Sequence, residues 1–241
     1  MPAWYQAGTL QVNKCFSRGL QFQANYTYSK NLDLVDNISN SGLGGAPTSN
    51  PTRFNFGLNK GPAGFDIRHV FVGSAVWAIP GRTGSEWLDA VVANWNLSGI
   101  TTFHSGLPFM LFLPTDNENI GQVSGRYTEF PNLVGDPRNV NQTVARWFNT
   151  LAFAMPAPYT RGNLGRNILR TDTLINTDLS AYKTWPFLER RSVELRGDFF
   201  NVFNHANFGY PGTILGTAQF GAIANTLNPG RQVQLGLKIH F

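Results

Sequence analysis

RQVQLGLKIHF, residues Arg231 to Phe241, is the stretch from which the rest of the sequence is read. Val233, Leu235, Leu237, Ile239 and Phe241 share one parity, while Gln232, Gln234, Gly236, Lys238 and His240 share the other. Side chains alternate between the two faces of a strand, so this segment has one apolar and one polar face. Two environments call for such a pattern. A soluble sheet places one face on a core and the other in water. A transmembrane barrel strand places one face in lipid and the other in a wet lumen.

Composition favours the second environment. Hydrophobic residues make up 42% of the chain and charged residues 14%, well under the roughly 25% charge of an average soluble protein. Aromatics reach 13%, with 19 Phe, 7 Tyr and 6 Trp, as expected of a surface that meets lipid and carries aromatic girdles. Mean hydropathy is only -0.19, and no run of about 18 apolar residues exists, which excludes transmembrane helices. A barrel passes that test because half of each strand is polar. The net charge of +5 is spread thinly, with Arg190 and Arg191 the only adjacent basic pair. That diffuse surplus is not the footprint of a nucleic-acid binder. A single cysteine, Cys15, excludes an internal disulfide and a Cys-based zinc site. The start, Met1-Pro2-Ala3-Trp4, has neither a basic n-region nor an apolar h-region. We read it as a chain that begins inside a longer protein.

Working back from the terminal segment, the alternation recurs. Tyr5 to Phe16 is a strand, Ser17-Arg18-Gly19 a tight turn, and Leu20 to Lys30 a second strand with apolar Leu20, Phe22, Ala24, Tyr26 and Tyr28 on one face. About eleven residues at roughly 3.4 Å each, tilted near 45°, span about 26 Å, the height of an outer-membrane apolar band. Further strands are expected at Asp66–Pro80, whose outward face is not assignable, and at Asn94–Gly106, Asn176–Trp185 and Arg191–Asn204. Gly81 to Ala93 has room for a short helical turn. Asn31–Phe65, Leu107–Leu174 and His205–Gly230 read as long irregular loops rich in Asn, Ser, Gly and Pro.

The lengths of the connections discriminate. Those after the first, third and fifth strands are short or modest, and those after the second, fourth and sixth are long. Compact soluble domains rarely use irregular loops beyond about 15 residues, whereas membrane barrels alternate short periplasmic turns with long extracellular loops. Phe16, Trp77, Trp95, Trp185, Phe187 and Phe241 then fall near the periplasmic interface, with Tyr26, Tyr28, Phe103 and Phe203 nearer the outer one. The expected fold is all-β: an antiparallel transmembrane β-barrel in the bacterial outer membrane, of which this chain supplies about seven strands. Seven is odd and open edges are untenable in lipid, so residues 1–241 are expected to be the C-terminal part of a larger barrel.

Several segments resemble TonB-dependent outer-membrane receptors of the Oar-like group. They are YTYSK at Tyr26–Lys30, DIRHVFVGSAVWAIPG at Asp66–Gly81, WNLSGITTFHSGLPF at Trp95–Phe109, RWFNTLAF at Arg146–Phe153, GNLGRNILR at Gly162–Arg170, DLSAYK at Asp178–Lys183 and RGDFFNVFNHANFG at Arg196–Gly209. The series is collinear and covers essentially the whole chain. The resemblance implies a receptor or transporter that binds or takes up an external ligand, energised through TonB by way of a plug and TonB box that this sequence lacks. It also implies that Phe241 is the terminal aromatic recognised by the outer-membrane assembly machinery. The long loops would form the outer vestibule, with Trp147, Phe148, Tyr159, Arg161, Arg166, Phe208 and Tyr210 as candidate ligand contacts. The alternatives are a passive porin or adhesin barrel, or a soluble β-sheet carbohydrate-binding module.

Catalytic chemistry finds little support. His69, His104, His205 and His240 are dispersed without metal-ligand spacing, and Ser105 lacks the GxSxG turn of a nucleophile elbow. Asp178, Lys183, Glu194, Arg196 and Asp198 could pair for acid–base work, but a ladder of lumenal ion pairs accounts for them better, because lipid-facing charges are costly. Asp33 and Asp36 read as solvated loop residues, although a calcium site is conceivable there. GNLGRN lacks the strand–loop–helix context of a phosphate loop. No enzyme activity, cofactor, metal or nucleic-acid partner is expected. The expected partners are outer-membrane lipid, the assembly machinery, the TonB complex through parts absent here, and an unidentified external ligand.

Overall fold

The computed structural model describes residues 3–34, 59–79, 85–119, 129–139, 141–188 and 191–241. Among the described residues, seven long strands form one antiparallel meander. They are β1 (Ala3–Ser17), β2 (Leu20–Asp33), β4 (His69–Ala78), β5 (Asn96–His104), β10 (Leu174–Leu188), β11 (Arg191–Phe200) and β12 (Gln232–His240), paired in that order. The two-residue β3 (Gly61–Pro62) adds to the end of β2. The sheet is open, with β1 and β12 at its two ends.

Turn chemistry closes the first hairpin. Arg18 (φ 53°) and Gly19 (φ 78°) both take left-handed conformations, the arrangement whose twist matches flanking strands in a two-residue hairpin. Ser17 therefore faces Leu20; the register slips by one residue between Ser17 and Lys14, and from Lys14 opposite Phe22 the pairing runs unbroken to Ala3 opposite Asp33. The registers then carry one parity across the whole sheet. Gln23, Ser74, Ile100, Asp178 and Asp198 lie on one face. Phe22, Ala75, Gly99, Leu179, Phe199 and Val233 lie on the other. This also orients β4: His69, Phe71, Gly73, Ala75 and Trp77 take the apolar face, and Val70, Val72, Ser74, Val76 and Ala78 the polar one.

Strand ends depart from the expected limits in ways the backbone explains. β11 stops at Phe200 rather than Asn204, because Asn201 (φ 50°) and Asn204 (φ 53°) turn the chain left-handed. Asparagine tolerates that conformation better than most residues. The Asn201 N–H donates to Asp178 Oδ1 at 2.8 Å, closing the turn onto β10. At its other end β10 runs three residues beyond Trp185, to Leu188. The connection between β4 and β5 holds a helix, α1 (Glu86–Val92), as its length suggested.

The larger correction concerns Leu107–Leu174. Its described residues carry little regular secondary structure, as expected, but they are packed into a core. The segment contains β6 (Pro108–Phe109), β7 (Asn132–Leu133), β8 (Phe153–Ala154) and β9 (Leu169–Arg170), with a 3₁₀ turn at Thr150–Ala152. β6 pairs with β9 and β7 with β8. Around them lies a core of Phe109, Met110, Leu111, Phe112, Phe130, Trp147, Phe148, Phe153, Leu164 and Leu169. Phe208, Tyr210, Leu215, Phe220 and Ile223 pack on it from the His205–Gly230 connection. Backbone bonds stitch the two connections together: Phe112 N–H to Thr213 O (2.9 Å), Trp147 N–H to Gly221 O (2.8 Å) and Ile223 N–H to Val144 O (2.7 Å). Gly162 lies where chains cross. A Cβ there would fall 2.0 Å from Phe130 O, so only glycine lets the backbones meet. The two connections thus form one cored lobe at the end of the sheet opposite the Arg18–Gly19 turn. Most of Asn31–Phe65, including Asp36, lies outside the described residues.

Candidate functional site

The lobe is fastened to the sheet by two buried ion pairs. Asp66, just ahead of β4, accepts from Asn31 N–H at 2.6 Å and is paired with the guanidinium of Arg170. Arg170 Nη1 also donates to Asp66 O (2.8 Å) and Gly106 O (2.9 Å). Arg68 adds a longer contact to Asp66 at 3.9 Å. One strand over, Arg166 pairs with Asp33 at the end of β2 and donates to Gly61 O at 3.2 Å. Each pair joins an arginine of the lobe to a carboxylate at the rim of the sheet, so the lobe and rim share one set of polar anchors. A third fastening is Asn207, whose side chain accepts from Ile175 N–H (2.7 Å) and donates to Ile175 O (3.0 Å), extending the β10 ladder by an amide. Asp66, Asp33, Arg170 and Asn207 were not among the expected site residues. The signal for Asp66, Arg170 and Asn207 lay in the DIRH, GRNILR and FNHANFG segments, without their partners; Asp33, read as a solvated loop residue, is instead buried at the end of β2, where Arg166 takes its carboxylate.

The seven candidate ligand contacts separate in the structure. Phe148 is 1% exposed, with Phe220 5.2 Å and Phe153 5.6 Å away, both edge-to-face. Trp147 is also buried, and its indole N–H donates to Arg170 O at 2.9 Å. Phe208 and Tyr210 pack against the same core, and Arg166 is committed to Asp33. As folded, these five build the lobe. Tyr159 and Arg161 remain toward solvent. Tyr159 is 77% exposed and holds φ 60°, a conformation that is an outlier for a bulky residue. Its N–H donates to Asn117 O at 2.9 Å. The Asn117 amide in turn donates to Ala157 O (3.0 Å) and Thr160 O (2.8 Å).

Beneath that loop sits Glu129, buried, accepting from Asn117 N–H at 2.7 Å and Glu118 N–H at 3.2 Å. Burial, helped by a hydrogen bond with Asp116, pushes its carboxyl up to about 7. The folded form therefore prefers the protonated acid, and the sign follows. The contribution to stability is full below the ordinary carboxyl value and is lost as pH rises from there through about 7. We expect faster exchange of the Asn117 and Tyr159 amides at pH 8 than at pH 5, beyond the intrinsic pH effect. Glu129→Gln should flatten that difference; an unchanged difference in the variant would remove Glu129 as its source.

The charged residues of the sheet also separate. Glu194, Arg196 and Asp198 share the polar face of β11, with Asp178 on the same face of β10. Arg196 Nε and Asp198 Oδ2 are 2.9 Å apart, and His240 approaches Glu194 at 3.8 Å. Lys183 does not join them. It lies at odd parity, opposite Leu195 on the apolar face, and its ammonium donates to Asp89 O (2.9 Å) and Ala93 O at the end of α1. On the polar face, a recess of about 480 Å³ is lined by Tyr5, Thr27, Ser29, Asn31, Phe65, Ile67 and Val70. Hydroxyls, an amide and two rings suit hydrogen bonding and stacking more than bond-breaking chemistry. Among the described residues no three His, Cys, Asp or Glu side chains converge on one point.

The chain matches the family described as outer membrane beta barrel domain over residues 2–234. It belongs to that outer membrane β-barrel family. No curated protein and no solved structure matches it. Family membership places the protein in the bacterial outer membrane and turns the two faces of the sheet into lipid and lumen. The apolar face meets lipid and the polar face lines the interior of the barrel. The soluble-module alternative falls with that assignment. A furrow of about 510 Å³ lined by Phe22, Phe71, Trp77, Leu97 and Leu179 is therefore on the lipid side, whereas the 480 Å³ recess is lumenal. Phe241 follows β12 and is exposed.

Proposed function

We propose that this outer membrane β-barrel is the barrel portion of a TonB-dependent receptor of the Oar-like type, which captures an external ligand and passes it inward. The observation that carries the reading is the cored lobe. A passive pore gains little from packing its outer connections around Phe148 and riveting them with Asp33–Arg166 and Asp66–Arg170. A receptor needs such a platform, because pre-ordered contacts spare the entropy of fixing loops on binding. Tyr159 and Arg161 at the lobe surface and the recess around Tyr5 and Phe65 are the surfaces this reading offers to the ligand. The collinear motif series points the same way. On this reading the barrel is not an enzyme. Its partners are outer-membrane lipid, the assembly machinery acting through Phe241, and the TonB complex through a plug and TonB box carried elsewhere in the gene product.

The test separates a receptor from a pore or adhesin. The full gene product should be retained by the immobilised periplasmic domain of TonB and should stay electrically silent in a planar bilayer. Steady ion conductance without retention would establish a porin. Silence without retention would favour the adhesin.

A further inference from the structure

The geometry assigns α1 to the membrane: we propose that it is an interfacial anchor lying in the headgroup layer of the periplasmic leaflet, clamped to the outside of the barrel by Lys183. The inference rests on the outer membrane β-barrel family and not on the receptor reading. Its first support is the position of Lys183. This lysine shares the lipid-facing parity of Leu179 and Trp185, yet it is only 2% exposed, because α1 covers it. Its ammonium ends on the carbonyls of Asp89, which also accepts the Ala93 N–H, and of the C-cap Ala93, at the helix end whose dipole favours a cation. A helix that caps a lipid-side lysine must itself be on the lipid side.

The second support is the surface α1 turns away from the sheet. Trp87 and Val91, one helical turn apart, are 70% and 62% exposed. Trp95, next after the helix, donates its indole N–H to Val91 O at 2.8 Å and meets Trp185 edge-to-face at 6.5 Å. The Lys183 ammonium lies 5.4 Å from the Trp185 ring. Trp185, Trp95, Val91 and Trp87 thus carry apolar surface from the lipid-facing sheet onto the helix. That continuity names the occupant as lipid. Indole rings favour the headgroup level, where the ring body is apolar and the N–H stays wet. The leaflet follows from topology. α1 connects β4 to β5 at the end of the sheet that carries the two-residue Arg18–Gly19 turn, opposite the lobe, and short turns of these barrels are periplasmic.

The test uses the full gene product folded into phosphatidylethanolamine/phosphatidylglycerol vesicles, with Cys15→Ser to clear the native thiol. A nitroxide is attached at Trp87→Cys or, should that variant not fold, at Val91→Cys, and a reference label at Tyr159→Cys. Collision rates are read with oxygen, which concentrates in lipid, and with a water-soluble nickel chelate. The α1 label should show an oxygen-to-nickel ratio several-fold above that at Tyr159. Adding Lys183→Met should lower the ratio and broaden the range of label environments. A ratio equal to that at Tyr159 would put α1 in periplasmic water and overturn the proposal. Protection from both reagents would mean that protein covers Trp87 and would overturn it equally.

Discussion

Asp66→Ala is expected to detach the outer lobe from the barrel rim at a cost of about 3–5 kcal/mol. The carboxylate is buried, and it satisfies both the Asn31 N–H of β2 and the guanidinium of Arg170. Its removal leaves the Arg170 guanidinium without its counter-ion, although still bonded to Asp66 O and Gly106 O, and the Asn31 N–H without an acceptor. Losing one partner of a buried pair is far costlier than replacing both. The measurement is denaturant-dependent proteolysis of the lobe in the folded, detergent-solubilised protein. The midpoint should fall while the strand signal in the infrared amide band persists. Asp136→Ala is the control, because its pair with Arg138 is at the surface and solvent screens such contacts. Equal curves for Asp66→Ala and Asp136→Ala would refute the anchoring role.

Phe148→Ala attacks the same lobe from its centre. The ring is enclosed by Phe109, Phe153 and Phe220, and deleting a fully buried aromatic costs about 3–5 kcal/mol, through lost transfer energy and the cavity left behind. The lobe draws on this one core, so the loss should appear as cooperative melting of its near-ultraviolet signal. The sheet, held by its own ladders, should remain. Phe148→Leu fills most of the volume and should recover a large part of the loss. If the alanine variant melts as the parent does, the core is not what orders the lobe.

These two residues also mark how much the sequence disclosed. The period of two is a local signal, so the seven strands were legible from alternation, and their up-and-down course from the alternating lengths of the connections. The outward face of β4 was not, because Val70, Val72, Phe71 and Trp77 make both faces apolar; only pairing with β2 and β5 orients it. The lobe was illegible for a different reason. Phe109–Leu113 is a continuous apolar run that is buried on all sides, which has no periodicity to announce it. Surrounded by Pro, Gly and Asn, it looked like loop. Ion pairs such as Asp66–Arg170 join residues 104 positions apart, and neither residue alone names the other. Lys183 is the opposite case. Its odd parity against Asp178 was countable in the sequence, but grouping residues by charge put it in the lumen, whereas its stem runs along the lipid face to α1. A charge on that face is tolerable near the bilayer surface, where the cost is about 0–1 kcal/mol rather than the roughly 2–4 of the midplane.

One pairing has a meaning for how this barrel can change. The chain leaves β5 at His104 and returns at Leu174 directly across the ladder from it; it leaves β11 at Phe200 and returns opposite at Gln232. Both inserts therefore hang from closed doorways whose jambs are hydrogen-bonded strands. The entropy of closing such a loop grows only logarithmically with its length, by about 0.6 kcal/mol per doubling. Closing these loops thus costs the membrane-spanning frame nearly the same however much protein is mounted above it. The two inserts share one core, so they are exchangeable as a matched pair and not singly. A graft that carried both between the same doorways, and kept arginines to meet Asp33 and Asp66 at the rim, would give the frame a new outer face while leaving every strand register intact.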